Sequence, residues 1–109
     1  MQLILWFMEF LEKENKIQRQ LLQTLAYEGI FAFKVMAASV RGVADVCAMH
    51  QGKVYFIEVK TSKGRLTAHQ EWFASKCRMN GVQYIVCRCK EDIDEIIKYI
   101  KICNYTSIK

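Results

Sequence analysis

Proline is absent from this chain and glycine occurs only five times in 109 residues, so neither a polyproline spacer nor a glycine-rich tether divides it. A single domain is expected over residues 1–109, with its core at about residues 8–102. Nothing approaches the roughly 20 apolar residues of a membrane span, and no basic residue precedes the apolar start Leu-Ile-Leu-Trp-Phe-Met, which argues against a secretory leader. Cys-x-x-Cys is missing, and the cysteines (Cys47, Cys77, Cys87, Cys89 and Cys103) are odd in number. A reduced, cytoplasmic setting is therefore expected in place of a disulfide framework. Cys87 and Cys89 would project both sulfurs from one strand face, but neither His50 nor His69 has the spacing to complete a zinc site. Small buried apolar cysteines are the simpler reading. Acid is the scarcer charge: eleven Asp and Glu against sixteen Lys and Arg leave +5, and several acids cluster between Glu91 and Glu95. That excess suits a polyanionic partner, or only a lysine-rich solvated surface.

What is there is centred on the stretch from Gly42 to Lys60. Val43 to His50 and Lys53 to Lys60 are rich in β-branched, aromatic and small apolar residues, and Gln51-Gly52 between them suits a two-residue hairpin turn. With that turn His50 opposes Lys53, and counting back along both strands sets Asp45 opposite Glu58. Directly opposed residues have Cβ atoms roughly 4.5–5.5 Å apart, where like charges destabilise the sheet, so something must neutralise the pair. Strand alternation places Lys60 on the same side as Glu58. One reading is a surface salt bridge at a hairpin end. The other is a hard divalent cation held by carboxylate, carbonyl and water oxygens, for which Mg²⁺ is suited.

Before this hairpin a helix is expected from about Met8 to Glu28, with Phe10, Leu11, Ile17, Leu21, Leu22 and Leu25 at three- and four-residue steps and Gly29 as its stop. Glu14 falls on that apolar stripe, whereas Glu12 faces a polar neighbourhood. A carboxylate there needs a cation or hydrogen bonds. Lys13, Lys16 and Arg19 flank it, as phosphate contacts or as solvated helix charges. Residues 1–10 either extend the helix over the core or form a partner contact such as a homodimer seam. Ile30 to Ala38 reads as a first strand. Arg41 lies beside the acidic pair, and Thr61 to Arg65 is a basic loop hinged on Gly64, with Lys63 and Arg65 suited to phosphates.

Thr67 and Gln70 match a capping box at the start of a helix running to about Asn80. His69 reads as a surface residue. A strand from Val82 to Arg88 and an amphipathic helix from Glu91 to Ile102 follow, the early acids of the helix complementing its dipole, with a loose tail from Asn104. The order is α, three strands, α, strand, α: an α/β arrangement with helices covering a small mixed sheet.

The ordered set of Glu14, Gly42-Val43-Ala44-Asp45, Phe56-Ile57-Glu58-Val59-Lys60, and Leu66 with Gln70 resembles the PD-(D/E)XK nucleases, and within them the small stand-alone VRR-NUC domains. The likeness runs from about Glu14 to Arg88. Ala44 departs from it, since relatives commonly carry proline before the aspartate; proline supplies no ligand, so the chemistry survives the change. The resemblance implies a restriction-endonuclease-like core of αβββαβ order and metal-dependent hydrolysis of DNA. It implies Asp45, Glu58, the Val59 carbonyl and Glu14 around Mg²⁺ or Mn²⁺, with Lys60 and Gln70 completing the catalytic set. For Gln70, capping and an active-site role stand as competing readings. Lys16, Arg41, Lys63 and Arg65 are the candidate DNA contacts. Small relatives of this kind resemble Holliday-junction resolvases and act as homodimers, which implies branched DNA. Flaps, nicks or plain duplex are the rival substrates, and a non-cutting nucleic-acid-binding module is the rival class.

Overall fold

The computed structural model describes residues 2–107, with no account of side chains at residues 2, 6, 7, 10 and 103–107. The order is α1 (Gln2–Tyr27), β1 (Phe31–Lys34), β2 (Val46–His50), β3 (Lys53–Val59), α2 (Ala68–Met79), β4 (Gln83–Cys87) and α3 (Lys90–Ser107). The strands form one sheet in the order β1-β2-β3-β4, the first three antiparallel and β4 parallel to β3. A parallel neighbour cannot be reached by a tight turn, so α2 serves as the crossover.

The β2–β3 turn takes positive φ at both central residues, 47° at Gln51 and 82° at Gly52, the backbone twist that two-residue hairpins favour. It fixes His50 opposite Lys53, and the ladder continues to Val46 opposite Ile57. One face of the sheet carries the core. Tyr55, Ile57 and Val59 of β3 are buried there with Leu21 and Leu25 of α1 and Ile93, Ile96, Ile97 and Ile100 of α3. The opposite face is covered at its β3–β4 half by α2, where Phe73 sets its ring edgewise to Phe56 at 5.0 Å and near Tyr84 at 6.3 Å. The β1 end of this second face is bare. Phe31 and Phe33, rings 5.8 Å apart, remain exposed there with Met49.

Several boundaries differ from the sequence reading. β1 is shorter than Ile30–Ala38 because the chain leaves the ladder after Val35, whose N–H still donates to the Asp45 carbonyl at 2.8 Å. β2 starts at Val46 and not Val43, since the approach bends through Gly42 with φ 84°. α1 starts six residues before Met8, at Gln2, and its early apolar side chains do not pack inward: Leu3, Ile4, Leu5 and Met8 are 81%, 64%, 60% and 59% exposed. α3 continues to Ser107 where a loose tail was expected, and residues 108–109 lie outside the described residues.

Leu25 is fully buried, so Leu25→Ala should lower stability by about 2–5 kcal/mol through lost burial plus the cavity left behind. Leu3→Ala, at an exposed position, should change it by less than about 0.5 kcal/mol. Urea denaturation of both variants at a concentration where the chain is monomeric checks the contrast.

Candidate metal centre

The hairpin register delivers Asp45 to Glu58 as the sequence count requires. Asp45 sits one residue before the β2 ladder, and its Oδ2 accepts a hydrogen bond from the Val59 N–H at 2.7 Å. The side chain thereby takes the place of a strand carbonyl, which fixes its orientation against the end of β3. Glu58 is only 3% exposed, although it is the one acid among the buried residues. Its Oε2 accepts from Gln70 Nε2 at 3.3 Å, while Oε1 is buried with no hydrogen-bond partner.

Burial pushes the Glu58 carboxyl from its ordinary 4.5 up to about 9, and the Asp45 carboxyl, within hydrogen-bonding reach and alike in charge, adds to the rise. Lys60 pulls the other way, and Glu14 adds a smaller repulsion. Glu14 is half-buried on α1 and is itself raised by desolvation, offset by Lys60, raised further by Asp45 and lowered by the Thr61 backbone amide. Four of the five predicted catalytic side chains thus sense one another: Glu14, Asp45, Glu58 and Lys60. The fifth, Gln70, reaches the group through Glu58.

Gln70 resolves a conflict that the sequence left open. Its Oε1 accepts from the Thr67 N–H at 2.9 Å and its N–H donates to Thr67 Oγ1 at 3.2 Å, a complete capping box. The Nε2 of the same amide holds Glu58. Capping uses the oxygen and contact with the acidic centre the nitrogen of one terminal amide, so the two do not compete.

Two features went unread in the sequence. A Cβ on Gly42 would lie 2.2 Å from the His69 carbonyl oxygen and 2.8 Å from the Gln70 nitrogen, so only glycine lets the strand approach pack against the first turn of α2. Arg88 donates from Nη1 to the Thr61 carbonyl at 2.9 Å and also to the Gly64 carbonyl, pinning the basic loop that follows Lys60. A glycine before the motif and an arginine ending a strand were the available signals, but neither spacing reveals its partner. The predicted DNA contacts separate. Lys16 and Lys63 face a common cleft, Arg41 lies in a shallow depression with Val40, His69 and Trp72, and Arg65 is exposed.

The donor set is hard and acidic, with a buried orphan oxygen on Glu58 and a fixed neighbour in Asp45, which fits a hard divalent cation. Among the described residues no three His, Cys, Asp or Glu side chains converge as a preformed cage, so oxygens of other kinds must complete such a shell.

A family model, the VRR-NUC domain, matches residues 2–91. The chain belongs to the VRR-NUC family of nucleases. A solved VRR-NUC domain structure superposes with a TM-score of 0.71 at 22% identity, covering 79% of this chain and 95% of that one, which shows the shared fold. The Holliday junction resolvase Hjc of Archaeoglobus fulgidus superposes with a TM-score of 0.51 at 25% identity, over 70% of this chain and 69% of its own. A comparison with curated proteins gave no match. Within the described residues of this VRR-NUC chain, no helix is long and apolar enough to cross a membrane.

Two measurements check the geometry. Gly29 also has positive φ but open space around it, so Gly29→Ala isolates the backbone cost, about 1–2 kcal/mol, whereas Gly42→Ala should cost clearly more by forcing α2 away. Equal losses in denaturant would contradict the close packing. In EDTA, the Glu58 proton is bound in the folded chain and released in the unfolded one between the ordinary carboxyl value and about 9. Stability from this group is therefore full below about pH 4.5 and is lost as pH rises toward 9. Thermal melts across that range should fall with pH, and Glu58→Gln should flatten the slope.

Proposed function

We propose that this VRR-NUC chain is a divalent-metal-dependent DNA endonuclease working at Asp45 and Glu58. The observation that carries the reading is the orphaned, buried Glu58 Oε1 beside a second carboxyl group on the neighbouring strand. Without a cation the pair avoids repulsion by keeping a proton, and an Mg²⁺ or Mn²⁺ ion answers the same need with more charge. Asp45 and Glu58 would hold the ion, with the Val59 carbonyl as a further oxygen donor and Glu14 completing the site through a water. When bound, such an ion lowers the pKa of a water molecule and offsets charge developing on the scissile phosphate.

The chain's own groups have separable tasks in this scheme. The Val59 N–H aims Asp45, and Gln70 Nε2 holds Glu58 from the start of α2. Lys60, close enough to Glu14 and Glu58 to favour their ionised forms, orients the attacking water and screens the phosphate. Glu14 keeps that ammonium facing the acidic centre. Lys16, Arg41, Lys63 and Arg65 contact DNA phosphates.

Likeness to the Archaeoglobus fulgidus Holliday junction resolvase supports branched DNA as the substrate, and symmetric cutting of such DNA calls for the paired sites of a homodimer. The exposed apolar turns of α1, with Leu3, Ile4, Leu5 and Met8, support association of two copies. The experiment offers purified protein four-way junction, flap, nicked and duplex DNA in Mg²⁺, Mn²⁺, Ca²⁺ or EDTA, with gel filtration alongside. Cleavage should need Mg²⁺ or Mn²⁺ and favour the junction, with Asp45→Ala abolishing it and Lys60→Ala slowing it by about 10²–10⁴-fold. Cleavage unchanged in both variants would remove this centre. A monomer cutting flaps or nicks best would redirect the substrate, and binding with no cleavage of any DNA would favour a binding module.

A further inference from the structure

A second site opens beside the acidic centre, on the side of α1. Lys13, Lys16, Ile17 and Gln20 share one face of that helix, with Glu9 one turn earlier, and they face Thr61, Ser62 and Lys63 of the loop after β3, Arg88 just past β4 and Lys90 at the start of α3. The space between is a cleft of about 730 Å³. Five cations from three segments converge on it against the single carboxylate of Glu9, and among the described residues none of the five is in an ion pair. Like charges gathered from separate elements without a counter-charge repel, and an anion entering between them relieves that repulsion. The wall is preformed, because Arg88 ties the loop carbonyls of Thr61 and Gly64.

The cleft joins the metal centre through Thr61, which lines it and whose backbone amide faces Glu14. Among the described residues its lining is cationic and polar with no aromatic side chain, a wall suited to backbone phosphates. A single phosphodiester strand is flexible enough to follow this row of cations into the cleft, whereas a duplex is stiff over such a distance.

We propose that this cleft seats the strand that departs from the duplex at a branch or flap next to the scissile phosphate, so that it is the source of a preference for branched or flapped DNA. This rests on the nuclease reading for its position but not for its test. Binding of a fluorescent oligothymidylate and of a duplex of equal length is measured by anisotropy in EDTA, where no cleavage is needed. The comparison is wild type against Lys13→Glu/Lys90→Glu, both exposed positions, and against the milder Lys13→Gln/Lys90→Gln, with circular dichroism to verify folding. Charge reversal should weaken single-strand binding at least tenfold and duplex binding less than threefold, the glutamine pair falling between. Removing two phosphate contacts should also reduce the slope of log K against log salt by about 1.4. Single-strand affinity unchanged in the reversed variant, or an equal loss for both DNAs, would overturn the assignment. Failure of the wild type to cut any DNA would count against the nuclease reading alone.

Discussion

Asp45 and Glu58 are brought together by strand register, and one of them is buried, so both cannot carry their charge unless something positive joins them. Much of the surrounding structure follows from that constraint. The Val59 N–H occupies one oxygen of Asp45, Gln70 occupies one oxygen of Glu58, and the charge of Lys60 acts on both Glu58 and Glu14. What remains uncommitted is the other Glu58 oxygen, shut away from solvent. A chain selected only for stability has little reason to keep such an atom, because a hydrophobic residue in its place would cost less to bury.

The site is also a packing problem. Gln70 reaches Glu58 only because α2 starts hard against the approach to β2, and α2 starts there only because Gly42 has no side chain. On the other flank, Arg88 ties the loop after Lys60 to the end of β4. Three elements distant in sequence are thus set around the end of β3, each by one specific contact. The core face does not perform this work; its Ile, Leu and Val side chains hold the sheet against α1 and α3 and leave the opposite face to Glu58 and its partners.

How much of this was legible beforehand depended on whether the signal was local. The Gln51-Gly52 turn is local, strand alternation is strict, and together they gave the opposition of Asp45 and Glu58 without any tertiary information. Glu14 was legible because helical periodicity set it on an apolar stripe where a lone charge needs a partner. Thr67 and Gln70 were legible as a cap, but the second bond of the Gln70 amide was not, since its acceptor lies on β3. The packing of Gly42 against α2 and the contacts of Arg88 and Lys90 went unread for the same reason: each involves a segment remote in sequence, and periodicity carries nothing about which loops meet. Strand lengths erred where Val35 to Asp45 leaves the ladder, because apolar composition there does not distinguish paired backbone from a loop.

The central claim is that a divalent cation takes the place of the proton held between Asp45 and Glu58. Calorimetric titration of Mn²⁺ into the metal-free protein near pH 7, repeated in buffers of different ionisation enthalpy, tests it directly. Since the Glu58 carboxyl lies at about 9 without metal, binding should release close to one proton per ion, seen as a buffer-dependent heat that Glu58→Gln abolishes. Mn²⁺ binding whose heat is the same in every buffer, or that survives unchanged in Glu58→Gln, would contradict the account.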